Sequence, residues 1–233
     1  MFKTLRDALK IKDIRTKLLY TFFMLIVVRI GSQIPIPGVN TAYISSYFAN
    51  QLGDEFSFLD AFTGGSFSNM AIFALGINPY ITSSIIMQLL TIAIPKLEEL
   101  QKDGEEGRKK ITEITRYVTI ALALVEGTAM TIGFGSQGLL YTFNFGSVLV
   151  VVLTMTAGSA FLMWAGERIT DKGIGNGISM ILLFNIVARI PSDFVTLYET
   201  FMMNKSVPKA ALAALIILFV IVAVIAMVVL LQG

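Results

Sequence analysis

Residues 61–95 run for 35 positions without a charged side chain. A bilayer's hydrocarbon core is about 30 Å thick and takes about 20 helical residues. The run is therefore too long for one crossing and too apolar for a water-facing surface. Five other runs have about the length of one crossing. Residues 210–231 and 146–166 carry no charge, 117–134 carry only Glu126, 18–35 carry only Arg29, and 173–188 lie between Lys172 and Arg189. The whole chain is 55% hydrophobic and 15% charged, against about 25% charged for soluble domains. Lipid, not water, is the solvent this sequence suits.

The long run divides by its chemistry. Thr63-Gly-Gly-Ser-Phe-Ser-Asn69 is rich in helix breakers, whereas residues 70–94 are apolar and long enough to cross. The expectation is a short half-helix near Phe58 to Phe62, a break at Gly64-Gly65, and then a full helix. Non-helical backbone at membrane depth is tolerated only inside protein or beside a water-filled cavity. This break is thus the strongest pointer to a pore or a binding site.

Basic residues set the orientation. Lys3, Arg6, Lys10, Lys12, Arg15 and Lys17 precede the first run; Lys96, Lys102, Arg108, Lys109, Lys110 and Arg116 follow the second; Arg168 and Lys172 follow the fourth. Together these are 14 of the 18 Lys and Arg. The bias alternates with the runs and places the amino terminus in the cytosol. The expected fold is all-α, a polytopic bundle of six spans at 18–35, 70–95, 116–134, 146–166, 174–190 and 210–231. A cytosolic amphipathic segment occupies 1–17, a half-helix and break 57–69, external loops 36–56 and 191–209, a cytosolic loop 96–115 and a cytosolic turn 167–173.

Catalytic patterns are absent. The chain has no Cys and no His, which removes disulfides, thiolate sites, the commonest metal ligand and the usual neutral-pH base. No metal or cofactor is expected. Lys172-Gly-Ile-Gly-Asn-Gly177 looks like a phosphate cradle, but it joins two apolar runs and reads as a tight turn, with Asn176 and Gly177 opening the next helix. Asn78-Pro79 falls inside the expected second span, as a tolerated kink or as a hinge beside a pore. Glu126 is either a transport carboxylate or a structural partner for a polar group such as Arg29. Ile81 and Ile85 share a helix face, as do Ile178 and Leu182, and spacing alone distinguishes neither pair from ordinary lipid-facing residues. Arg108, Lys109 and Lys110, among Glu98, Glu99, Glu105 and Glu106, form either a docking surface or a solvated loop.

Four strings together resemble one family, the SecY-type protein-conducting channels. They are Arg29-Ile-Gly-Ser-Gln-Ile-Pro-Ile-Pro-Gly-Val-Asn40, the stretch from Ile72 to Leu90 through Asn78-Pro-Tyr80, Gly107-Arg-Lys-Lys-Ile111 with Thr115-Arg-Tyr117, and Phe161 to Ser179 through the Lys172 turn. The resemblance implies a channel that passes unfolded polypeptides across the bacterial cytoplasmic membrane and releases apolar segments into lipid, without enzymatic activity. It implies SecE and SecG as partner subunits, SecA or a ribosome as driver, and contact with a translocating polypeptide and membrane lipids. It makes the broken segment a plug (Phe58, Leu59, Phe62, Gly64, Gly65, Phe67). Ile81, Ile85, Ile178 and Leu182 become pore-ring positions, with Leu182 departing from the commoner Ile. Gln88 and Tyr117 fall on a lateral gate, and Arg108, Lys109 and Lys110 on a cytosolic docking loop.

The family holds a second, inverted half that these 233 residues do not contain, so six spans alone are expected not to conduct. A secondary transporter also uses broken helices, but should gather several polar groups at the break. An inactive assembly intermediate is a third reading.

Overall fold

The computed structural model describes residues 11–47, 60–201 and 207–232. Most of the 1–17 segment, and Phe58 and Leu59 of the expected half-helix, lie outside these residues. The chain divides into two compact units, Met1–Val187 and Ala188–Gly233. Eight α-helices and one π-helical turn are seen among the described residues: α1 (Lys12–Gly31), α2 (Thr41–Tyr47), α3 (Asn78–Ala93), α4 (Pro95–Lys102), α5 (Gly104–Phe134), the π turn (Gly135–Leu139), α6 (Phe145–Lys172), α7 (Gly177–Phe201) and α8 (Val207–Gln232).

Helix α1 buries Thr21, Met24, Leu25, Val28 and Gly31, a single stripe at helical spacing, while Phe22, Phe23, Ile26 and Ile30 stay exposed. Asp13 in its first turn and Arg29 in its last suit the helix dipole. Helices α5 and α6 form the centre of the first unit; α3 packs on α5, and α1 on α6. The buried face of α5 includes Thr115, Thr119, Ala123, Gly127 and Thr131, small side chains every fourth residue that let backbones approach closely. Its threonines return their hydroxyls to the preceding turn, as Thr119 does to Thr115 O at 2.7 Å and Thr131 to Gly127 O at 2.6 Å.

Residues 34–40 carry no helix, yet their main chain is paired. Ile36 N–H donates to Met70 O and Ile72 N–H to Ile34 O, both at 2.9 Å, while Asn40 N–H donates to Leu139 O at 2.8 Å. These bonds stitch the chain after α1 to the broken segment on one side and to the π turn on the other, which satisfies irregular backbone inside protein. Ile36, Val39, Met70, Leu75, Leu139 and Met155 pack in one buried cluster around this stitching.

Several expected boundaries differ from the structure. The helix expected from residue 70 begins at Asn78, and residues 64–77 form turns around a single bridge at Ala71, with Gly76 at φ 61° and Met70 at φ 44°. Pro79 therefore occupies the first helical turn, where a missing N–H costs nothing, and it neither kinks nor hinges a span. The sharp bend lies one helix later, 101° between α3 and α4, where Pro95 cannot continue the ladder. The expected loop at 96–115 is helical, as α4 and the start of α5. The expected external loops contain α2, and α7 continues to Phe201.

Three helices among the described residues are long and apolar enough to cross a bilayer, at Gly104–Leu139, Phe145–Lys172 and Gly177–Thr196; the bent α3–α4 pair makes a fourth if it is one span. In the second unit, Phe219 to Leu231 of α8 is apolar, and its large side chains are exposed.

Candidate functional site

The broken segment is braced from within by Asp60 and gripped from outside by two helices. Its helical turn ends at Thr63 and the chain then reverses through Gly64 and Gly65, at φ 66° and 86°, a conformation that suits glycine. Asp60, 6% exposed, organises the reversal: its Oδ1 accepts from Ser68 N–H at 2.9 Å and from the Thr63 hydroxyl at 3.3 Å. From α1, the Arg29 guanidinium donates Nη1–H to Gly64 O at 2.6 Å. From α7, Asn185 donates Nδ2–H to Phe62 O at 3.1 Å. Arg29 thus spends a donor on the break; among the described residues no ion pair joins it to Glu126. Glu126 itself is half-buried.

Beyond the break, Phe73 and Ile77 enter a second buried cluster with Met24, Leu25 and Val28 of α1, Leu162, Ala165 and Ile169 of α6, and Ile181 of α7. Ile81, Ile178 and Leu182 pack against this same cluster as partly buried side chains. Three of the four expected ring residues therefore converge. Ile85, one turn further along α3, is 52% exposed.

The turn between α6 and α7 locks the approach of Ile178. Asn176 Oδ1 accepts from Ser179 N–H at 3.2 Å, Thr170 Oγ1 from Gly177 N–H at 2.9 Å and Thr21 Oγ1 from Ile174 N–H at 3.1 Å. The amides of Ile174 and Gly177 are thus occupied by protein acceptors, as a tight turn between two helices requires.

Of the expected plug residues that are described, Gly64 is buried and Phe62, Gly65 and Phe67 are half-buried. Tyr117 is 75% exposed, while Gln88 lines a cavity of about 350 Å³ with Tyr80, Ser84, Thr91, Gln101 and Arg108. Arg108, Lys109 and Lys110 are exposed in the first turns of α5. No cluster of three or more metal-ligating side chains occurs among the described residues. Sequence reasoning missed Asn185, and it gave Arg29 a different partner. A lone amide between Phe184 and Ile186 in an apolar run was the available signal.

This arrangement defines an all-helical membrane protein with an interrupted apolar segment packed among its helices. A family model described as SecY matches residues 71–233. The chain belongs to the SecY family. It is 45% identical over 190 residues to the protein translocase subunit SecY of Pseudomonas aeruginosa, covering 82% of this chain and 43% of that one. It is 44% identical over 204 residues to the same subunit of Bacillus subtilis, covering 86% and 47%. The chain thus spans a little under half the length of these relatives. Two solved structures share the fold at 23% identity and TM-score 0.53: a protein-conducting channel, covering 82% of this chain and 39% of that one, and Sec61 in the canine ribosome–channel complex from the endoplasmic reticulum, covering 82% and 40%.

Proposed function

We propose that this chain is part of the channel-forming subunit of a Sec-type translocon, in the bacterial cytoplasmic membrane, passing unfolded polypeptides across it and releasing apolar segments into it. One observation carries the reading. Ile81, Ile178 and Leu182 meet on one apolar cluster immediately beside an interrupted segment that two helices grip. Branched apolar side chains at a narrow waist dewet it and exclude small ions. Their contacts are non-directional, so they can rearrange around a moving chain.

In this reading the chain contributes six spans with its amino terminus in the cytosol. The segment through Phe62, Gly64, Gly65 and Phe67 is the plug, Ile85 completes this half of the ring, and Gln88 and Tyr117 belong to the lateral gate. The remaining ring and gate positions come from the other half of the full-length protein. SecE and SecG are the partner subunits. SecA or a ribosome docks at Arg108, Lys109 and Lys110; the Sec61 neighbour is described in a ribosome–channel complex. No enzymatic step enters. The secondary-transporter reading loses its support, because the relatives are translocase subunits.

The test is site-specific crosslinking in the full-length protein. Cysteine at positions 81, 178 and 182 should each crosslink to an arrested translocating polypeptide. Crosslinks confined to exposed positions such as Phe22 or Leu183 would remove the channel reading.

A further inference from the structure

We propose that Arg29 and Asn185 are positioning residues that latch the broken segment between α1 and α7, with the main chain at Gly64 as their shared point of contact. The inference rests on the channel reading above and assigns it two residues that neither composition nor the ring positions supply.

The hydrogen bonding of the segment divides in two. Amides downstream of the break return to the carbonyls of Asp60, Ala61 and Thr63, through Gly65, Gly64 and Ser66. The carbonyls of Phe62 and Gly64 instead accept from side chains on two different helices, Asn185 at 3.1 Å and Arg29 at 2.6 Å. These donors lie 123 and 35 residues away in sequence, so the bonds form only when both walls and the segment are assembled. A β-carbon at Gly64 would lie 3.1 Å from Asn185 Oδ1 and 3.2 Å from Arg29 Nη1; both side chains close on the same stretch of backbone.

The latch is also built to release. Asn185 is 4% exposed, yet among the described residues its Oδ1 has no hydrogen-bond partner, and neither has the hydroxyl oxygen of Ser66, which is 0% exposed. Leaving a buried acceptor unpaired carries a desolvation penalty. Withdrawal of the segment breaks two bonds but lets both orphaned oxygens hydrate. The seated state is thereby stabilised less than its two bonds alone suggest, which is what a repeatedly opening closure requires.

The test uses the full-length protein in its membrane assembly, freed of any cysteine beyond these residues. This segment has none, so Ser66→Cys introduces a single buried thiol. Labelling of that thiol by a membrane-impermeant maleimide then reports unseating. Arg29→Met and Asn185→Ala should each raise the labelling rate about tenfold, the loss of one buried bond, and raise resting ion conductance in planar bilayers. Arg29→Lys, which keeps a donor, should restore most of the protection. A control substitution at an exposed position, Ser179→Cys, should label equally in all of them. Unchanged labelling at position 66 in both variants, with equal labelling at position 179, overturns the latch. Deletion of residues 60–69 separates the two readings: raised conductance there, without an effect of the latch variants, sinks the latch alone, whereas unchanged conductance on deletion sinks the plug.

Discussion

Arg116 on α5 donates Nε–H to Glu167 Oε1 on α6 at 2.9 Å, across 51 residues of sequence. It is the ion pair that joins two different helices among those described, and it sits on the most extensive helix–helix interface of the first unit. With side chains 46% and 20% exposed, it is screened on the arginine side and ranks below the packing around it.

Glu167→Gln should therefore lower stability by no more than about 1 kcal/mol. The measurement is thermal unfolding of the detergent-solubilised full-length protein, with the effect shrinking as salt is raised. A loss insensitive to salt would mean that Glu167 acts through packing instead.

Ser83 and Thr119 meet at 2.5 Å between α3 and α5, and each hydroxyl also reaches a main-chain carbonyl of its own helix, Tyr80 O and Thr115 O. Each hydroxyl donates once, so the two protons satisfy two of these three contacts at a time, and one hydroxyl must leave its own carbonyl to bond the other. A double-mutant cycle with Ser83→Ala and Thr119→Val should give a coupling of about 0.6 kcal/mol, the usual size for hydrogen bonds between membrane helices. A coupling near zero would make the contact incidental.

Gly177 and Gly175 offer a contrast within one turn. A β-carbon at Gly177 would collide with Gly166 O, whereas Gly175, at φ 71°, has open space around it. Gly177→Ala should cost about 1 to 3 kcal/mol through forced separation of α6 and α7, and Gly175→Ala about 1 kcal/mol through backbone strain alone. Unfolding of the two variants side by side checks the order.

Ile85→Asn tests the ring where the structure leaves a side chain open. Being 52% exposed, position 85 should accept the amide with little loss of folded protein, and should hydrate the waist in the full channel. Single-channel recording should show increased ion leak in the closed state. Unchanged conductance would place Ile85 away from the path.

The break at Gly64-Gly65 was legible because glycine at a positive φ and helix-breaking neighbours are local properties. The family was legible from ordered strings between Arg29 and Ser179. The start of α3 was not. Residues 70–77 are as apolar as a span, and it takes the bonds to Ile34 and Ile36, with the local turns, to reveal that their backbone is paired elsewhere than in a helix. The role of Pro79 was hidden for the same reason, since it depends on which side of the proline the helix begins.

The amino-acid order alone determined the solvent, the number of long apolar runs and the site of the interruption, because hydropathy and helix breaking act over a few neighbouring residues. Tertiary structure decided which polar groups meet. Arg29 reaches Gly64 and not Glu126, and Asn185 reaches Phe62, because in an apolar interior a donor takes whichever carbonyl the packing of distant helices leaves within reach.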